Sequence, residues 1–116
     1  MSFLKQLFSS VPAITVTECQ DKKSDKPGPI LVDVRSTEEY RNGHISGARS
    51  IPLDRLNSRL NKLSKNREII CICRSGSRSK RATKQLRANG YQAINLKGGM
   101  NAWSKAGYQI KVGKVK

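Results

Sequence analysis

The sequence predicts an α/β domain built on a mainly parallel sheet, and three observations lead there. Ile30-Leu31-Val32 and Ile69 to Ile72 are short, continuous apolar runs rather than alternating ones, as befits strands covered on both faces. Between and after them stand segments with helical spacing, most clearly Leu53, Leu56, Leu60 and Leu63 on one stripe. Helix punctuation falls at the joins: Ser36 with Glu39, then Asn42-Gly43, then Gly90. Strands alternating with helices pair in parallel through right-handed crossovers. The loop after a central strand then lies at the carboxyl edge of the sheet, where such folds bind ligands.

The elements follow in order. Residues 1–13 form an N-terminal extension in which Phe3, Leu4, Leu7 and Phe8 share one helical face. That pattern predicts a short helix packed on the domain, a membrane-surface anchor being the lesser alternative; the charged start, long apolar core and cleavage site of a secretory signal are missing. Ile14-Thr15-Val16 reads as a short strand, and Thr17 with Gln20 as a capping box opening a brief polar helix. Lys26-Pro27-Gly28-Pro29 breaks the chain. Ile30 to Val34 is a buried strand interrupted only by Asp33, and a capped helix from Ser36 ends at Asn42-Gly43. An extended piece at Ala48 to Ile51 leads through Pro52 into the leucine-striped helix. The strand Ile69 to Ile72 precedes a polar loop and a helix from Lys80 to Asn89, with Ala82, Thr83 and Leu86 as its inner face. Ala93 to Leu96 is the last strand, and Gly98-Gly99 turns into a short helix holding Trp103. The domain thus occupies 14–107, and 108–116 is a basic C-terminal tail.

A chain of 116 residues supports one core and one domain. No run approaches the roughly 18 apolar residues of a membrane span. Three cysteines, an odd number without a signal peptide, point to a reducing compartment, the cytoplasm. No metal site is expected, because His44 is the only histidine and no cysteine pair has ligand spacing. The net charge of +15 suits nucleic acid, an acidic partner or small anions. The basic residues are spread from Lys5 to Lys116 and aromatic content is 5%, which favours a generally cationic surface over specific nucleic-acid recognition.

The segment Cys73-Arg74-Ser75-Gly76-Ser77-Arg78-Ser79 carries the chemistry. A cysteine at the end of a buried strand, followed by small residues and a helix start, has backbone N–H groups and a helix N-terminus aimed at its sulfur, which favours thiolate over thiol. Arg74 and Arg78 add positive charge at the same place, making an anion cradle around a nucleophile. The competing reading of Cys73 alone is a buried, inert strand cysteine. Cys71, two residues earlier on the same strand face, reads as core packing beneath the loop rather than a resolving thiol.

From Ile14 to Gly107 the chain resembles the rhodanese family. The carrying residues are Leu31-Val32-Asp33-Val34-Arg35, Glu38-Glu39-Tyr40, Gly43-His44-Ile45-Ser46-Gly47-Ala48, Ile51-Pro52-Leu53, the Cys73 loop, Leu96-Lys97-Gly98-Gly99-Met100 and Ala102-Trp103. The resemblance implies a single rhodanese-like domain, a five-stranded sheet flanked by helices on both faces, and a single-domain sulfurtransferase. Cys73 matches the family's persulfide-bearing cysteine, and Arg74, Ser75, Gly76, Ser77, Arg78 and Ser79 its substrate-binding loop. Asp33 and Arg35 are then scaffold, with Arg35 paired to Glu38 or Glu39; His44 is a hydrogen-bonded structural histidine and Trp103 is core.

The implied donor is a small sulfur anion, thiosulfate or a persulfide, and the acceptor a thiol, cyanide or a sulfur-relay protein. Attack by a thiolate on the outer sulfur of thiosulfate requires an ionised cysteine and donors for anionic oxygens, and neither a general base nor a cofactor. Two alternatives stand beside it. Phosphatases of related fold also use a cysteine loop ending in arginine, but theirs holds one residue more than the four between Cys73 and Arg78. A non-catalytic interaction module is the other, and it usually goes with loss of the cysteine.

Overall fold

Among the residues described by the computed structural model, 11–114, five short strands pair in parallel throughout. They are β1 (Ala13–Ile14), β2 (Ile30–Asp33), β3 (Arg49–Ser50), β4 (Glu68–Ile72) and β5 (Gln92–Leu96), in the spatial order β1-β5-β4-β2-β3. The helices are α1 (Val16–Lys22), α2 (Thr37–Arg41), α3 (Ser77–Ala88) and α4 (Gly99–Lys105). The helix expected around Phe3 to Phe8 lies outside the described residues.

Period-2 alternation divides β4 between two cores. Ile69 and Cys71 join Val32, Leu56, Ala82 and Leu86 on one face, whereas Ile70 and Ile72 join Tyr40, Leu96, Met100 and Trp103 on the other. Helices therefore cover both faces, as the continuous apolar runs require.

Two local expectations are corrected. Thr15, not Thr17, caps α1: its hydroxyl accepts from Glu18 N–H at 3.1 Å while Glu18 Oε1 accepts from Thr15 N–H at 3.0 Å. Starting the helix two residues earlier ends β1 at Ile14 and leaves Cys19 fully buried on the inner face of α1. The leucine stripe is not an α-helix but two 3₁₀ segments, Leu53–Arg55 and Asn57–Lys62. Leu53 and Leu56, and again Leu60 and Leu63, are three apart, which a three-residue turn aligns as well as an α-helix does. The Ser58 hydroxyl also binds the Arg55 carbonyl at 2.8 Å, a local bond of the kind that competes with regular helix. Leu56 and Leu63 are buried all the same, and Leu53 and Leu60 pack against them.

A third correction concerns Arg35, which pairs with neither Glu38 nor Glu39. Its Nη2 reaches Asp33 Oδ2 at 2.7 Å and its Nε reaches Asp33 Oδ1 at 2.9 Å, and Nη2 also donates to the Gly43 carbonyl at 2.7 Å. Asp33 is fully buried at the end of β2, so its charge needs a buried partner, and the residue two positions on projects to the same side. His44 is structural: its ring stacks on Tyr40 at 3.7 Å, and Nδ1–H donates to the Tyr40 carbonyl at 2.8 Å. Trp103 is core, with Nε1–H donating to the Gln109 carbonyl at 3.0 Å. The stretch after 107 turns back onto the domain, where Lys111 exchanges two 2.8 Å backbone bonds with His44.

Candidate functional site

β4 lies between β5 and β2, so Cys73, the residue after it, sits at the carboxyl edge of the sheet. From there the chain must reverse into α3 within three residues. Gly76 makes that reversal at φ +114°, a left-handed conformation that favours glycine, and it is the N-cap of α3. The turn aims the Gly76 N–H at Cys73 Sγ, 3.1 Å away, and brings the Ser79 hydroxyl to 3.2 Å from it.

The loop is clamped from behind by the start of α4. Met100 N–H donates to the Cys73 carbonyl at 2.8 Å and Asn101 N–H to the Arg74 carbonyl at 3.0 Å. This approach is possible only because Gly99 has no side chain: a Cβ there would lie 2.3 Å from the Cys73 carbonyl oxygen. Gly98-Gly99 is legible as a turn, but its part in holding the cysteine loop is not.

The electrostatics single out one thiol of three. Burial pushes Cys19 up to about 11 and Cys71 up to about 12, so both stay protonated. Burial acts on Cys73 in the same direction. There the Ser79 hydroxyl and the N–H groups of Ser79, Gly76 and Ser75 outweigh it and hold the thiol below its ordinary value. Cys73 is only 1% exposed, so the sulfur lies at the floor of the loop rather than on its rim.

The two arginines of the loop part company. Arg78 turns its fork onto Glu39, Nη1 to Oε1 at 2.7 Å and Nη2 to Oε2 at 2.8 Å. That bidentate pair holds the Glu39 carboxyl down at about 2 and ties α2 to α3. Arg74 is exposed and, among the described residues, has no hydrogen-bonded or ion-paired side-chain partner. It lines a groove of about 330 Å³ with Arg35, Glu39, Asn42 and Asn101. Arg78 borders a second groove of about 490 Å³, shared with Val34, Pro52, Leu53 and Arg81. Ser75 and Ser77 are exposed on the loop, whereas Ser79 is fully buried against the sulfur.

Two residues of the site escape sequence reasoning. Glu39 reads as a helix cap and an Arg35 partner; its bond to Arg78 spans 39 positions and leaves no local trace. Asn95, on β5, reaches the Ser79 hydroxyl with Oδ1 at 2.5 Å. Its one signal is a polar residue inside the apolar run Ala93 to Leu96.

The chain is similar to known proteins over most of its length. The family model of the rhodanese-like domain matches residues 15–106. The putative sulfur carrier protein YrkF of Bacillus subtilis is 37% identical over 97 residues, which are 83% of this chain and 52% of that protein. A sulfurtransferase of Allochromatium vinosum is 35% identical over 88 residues, 75% of this chain and 82% of that one. The chain thus spans about half of YrkF and most of the second relative. Among solved structures, a rhodanese-like domain protein of Staphylococcus aureus superposes with a TM-score of 0.80 at 35% identity, covering 89% of this chain and 99% of that one.

Proposed function

The chain belongs to the rhodanese-like domain family, and from that premise we propose a sulfurtransferase in which Cys73 carries a sulfane sulfur from an anionic donor to a thiophilic acceptor. The observation that carries this reading is the contrast among the thiols. Cys73 alone meets converging hydrogen-bond donors at the carboxyl edge of the sheet, while burial keeps Cys19 and Cys71 protonated.

With thiosulfate as donor, the Cys73 thiolate attacks the outer sulfur. A new S–S bond forms as the donor's S–S bond breaks, and its electron pair leaves on sulfite. The negative charge that had been on Sγ now sits one atom further out, on the terminal sulfur of the persulfide. The N–H groups of Ser75, Gly76 and Ser79, with the positive end of α3, face that charge. In the second half an acceptor thiol or cyanide takes the terminal sulfur, and Cys73 leaves as thiolate. No general base or cofactor takes part.

Arg74, unpaired and at the rim, binds the donor's sulfonate; Arg78, committed to Glu39, braces the loop. The loop is one residue short of the phosphatase pattern, which weighs against phosphate esters. YrkF is named a putative sulfur carrier, which supports a sulfur-relay protein as an acceptor class beside small thiols and cyanide. The odd cysteine count is our ground for placing the protein in the cytoplasm; among the described residues no helix is long and apolar enough to cross a membrane.

The test is thiocyanate formation from thiosulfate and cyanide, run beside a glutathione persulfide donor. Turnover with either donor that disappears in Cys73→Ser supports the reading. Turnover that survives in Cys73→Ser overturns it.

A further inference from the structure

The Ser79 hydroxyl has one hydrogen and three acceptors around it: Cys73 Sγ at 3.2 Å, the Gly76 carbonyl at 3.2 Å and Asn95 Oδ1 at 2.5 Å. Ser79 is fully buried and Asn95 is 8% exposed, so solvent does not make up the deficit. The shortest contact hands the hydrogen to Asn95, away from sulfur. That suits a thiol, whose own S–H can point to Ser79 Oγ, giving an unbroken chain from Cys73 through Ser79 to Asn95. It does not suit a thiolate, which needs the Ser79 hydrogen turned onto itself.

An amide can serve both states, because rotating it by half a turn exchanges its oxygen for an NH₂ group. Among the described residues the other end of Asn95, Nδ2, is held only by a long 3.4 Å contact to the Gly76 carbonyl. That carbonyl already accepts the Lys80 N–H at 3.0 Å, so it keeps a partner when Asn95 lets go.

We propose that Asn95 is a positioning residue for Cys73: its side-chain amide accepts the Ser79 hydrogen while the sulfur is a thiol, and reverses to donate to Ser79 Oγ when the sulfur is ionised, turning the hydroxyl hydrogen onto the sulfur. The thiol proton leaves to solvent and every other hydrogen stays on its own atom, so the step is a reorientation and not a proton relay. The terminal sulfur of a persulfide, being an anion in the same cradle, calls for the same reversed state.

The charged groups around the sulfur do not duplicate this effect. Cys71 on β4 stays a thiol up to about 12, and the Glu39 that faces Arg78 of α3 is ionised above about 2, so neither changes charge where Cys73 titrates. Arg74 of the loop and the ion-paired Asp33 and Arg35 at the end of β2 are the other charged groups named at this edge of the sheet. The inference rests on Cys73 being the reacting group but on no particular donor. Alkylation reads the thiol directly, so failure here and failure of sulfur transfer are separate results.

The experiment follows Cys73 alkylation by iodoacetamide against pH, read by intact mass, in the wild type, Asn95→Asp, Ser79→Ala and the double variant. A carboxylate only accepts and cannot reverse. Asn95→Asp is therefore expected to move the midpoint upward by one unit or more, about tenfold in rate at a pH below both midpoints. In the Ser79→Ala background at least half of that movement should vanish, since only the through-space charge remains. In the wild type, the ¹⁵N–¹H resonances of the Asn95 side-chain amide should titrate at the alkylation midpoint, and that movement should collapse in Ser79→Ala. A midpoint shift from Asn95→Asp that is undiminished without Ser79, or an amide pair that stays flat through the Cys73 transition, would overturn the proposal.

Discussion

Glu39→Gln separates two tasks that one carboxylate performs. Glu39 closes the capping box of α2, its Oε1 accepting from Ser36 N–H at 3.2 Å, and its two oxygens hold the Arg78 fork. Glutamine satisfies a capping box as well as glutamate does, so the substitution spares the helix and removes the charge that Arg78 faces. The Glu39 carboxyl is lowered from 4.5 to about 2, chiefly by the Arg78 hydrogen bonds, with burial opposing them. Taken at face value that is about 3 kcal/mol at 1.36 kcal/mol per unit. The side chains are 37% and 31% exposed, and solvent screening brings the expected loss down to about 1–2 kcal/mol. The sign follows from a carboxylate whose folded value is depressed: its contribution is complete above about 4.5 and is lost as pH falls through about 2. Urea unfolding of both proteins at neutral pH and at steps down to pH 2 measures it. The gap between wild type and Glu39→Gln should be full at neutral pH and close steadily below 4.5. A gap of the same size at every pH, or none at neutral pH, would refute the ion pair as the brace between α2 and α3.

Three further outcomes are expected. Arg74→Ala should lower kcat/KM for thiosulfate on the order of ten- to a hundredfold, the range of one charge-assisted contact of about 1.5–3 kcal/mol, while the distant Lys114→Ala does little; equal small effects that vanish together in high salt would remove the direct contact. Gly99→Ala should destabilise the protein by about 2–4 kcal/mol in urea, from a left-handed φ of +54° together with the overlap of its Cβ with the Cys73 carbonyl; a loss under 1 kcal/mol would mean that α4 does not clamp the loop. Aryl phosphates should not be hydrolysed at a useful rate by the wild-type loop, and efficient hydrolysis in a phosphatase assay would reverse the choice between the two chemistries.

What is legible in the sequence is what local chemistry determines. The Ser36–Glu39 box, the stop at Asn42-Gly43, the buried runs of β2 and β4, and the inner face of α3 at Ala82, Thr83 and Leu86 all follow from neighbours within four residues. The Cys73 loop is legible for the same reason, since strand end, small residues and helix start are contiguous. Misreadings arise where two local solutions compete or where the partner is remote. Thr15 and Thr17 both offer a hydroxyl with a glutamate or glutamine three residues on, and burial of Cys19 favours the first. Leucines three apart serve a 3₁₀ turn and an α-helix alike. Arg35 is misassigned and the partner of Arg78 is missed because sequence distance ranks Glu38 and Glu39 near Arg35, whereas the strand end puts Asp33 beside it and the sheet brings α3 to Glu39.

The central claim is that Cys73 is the residue that holds the travelling sulfur, and intact-mass measurement tests it most directly. After incubation with thiosulfate and no acceptor, the wild-type protein should gain the mass of one sulfur atom. Peptide mapping should place it on Cys73 and not on Cys19 or Cys71, and cyanide should remove it. A gain of the same mass by Cys73→Ser, or a sulfur that maps to Cys71, would contradict the claim.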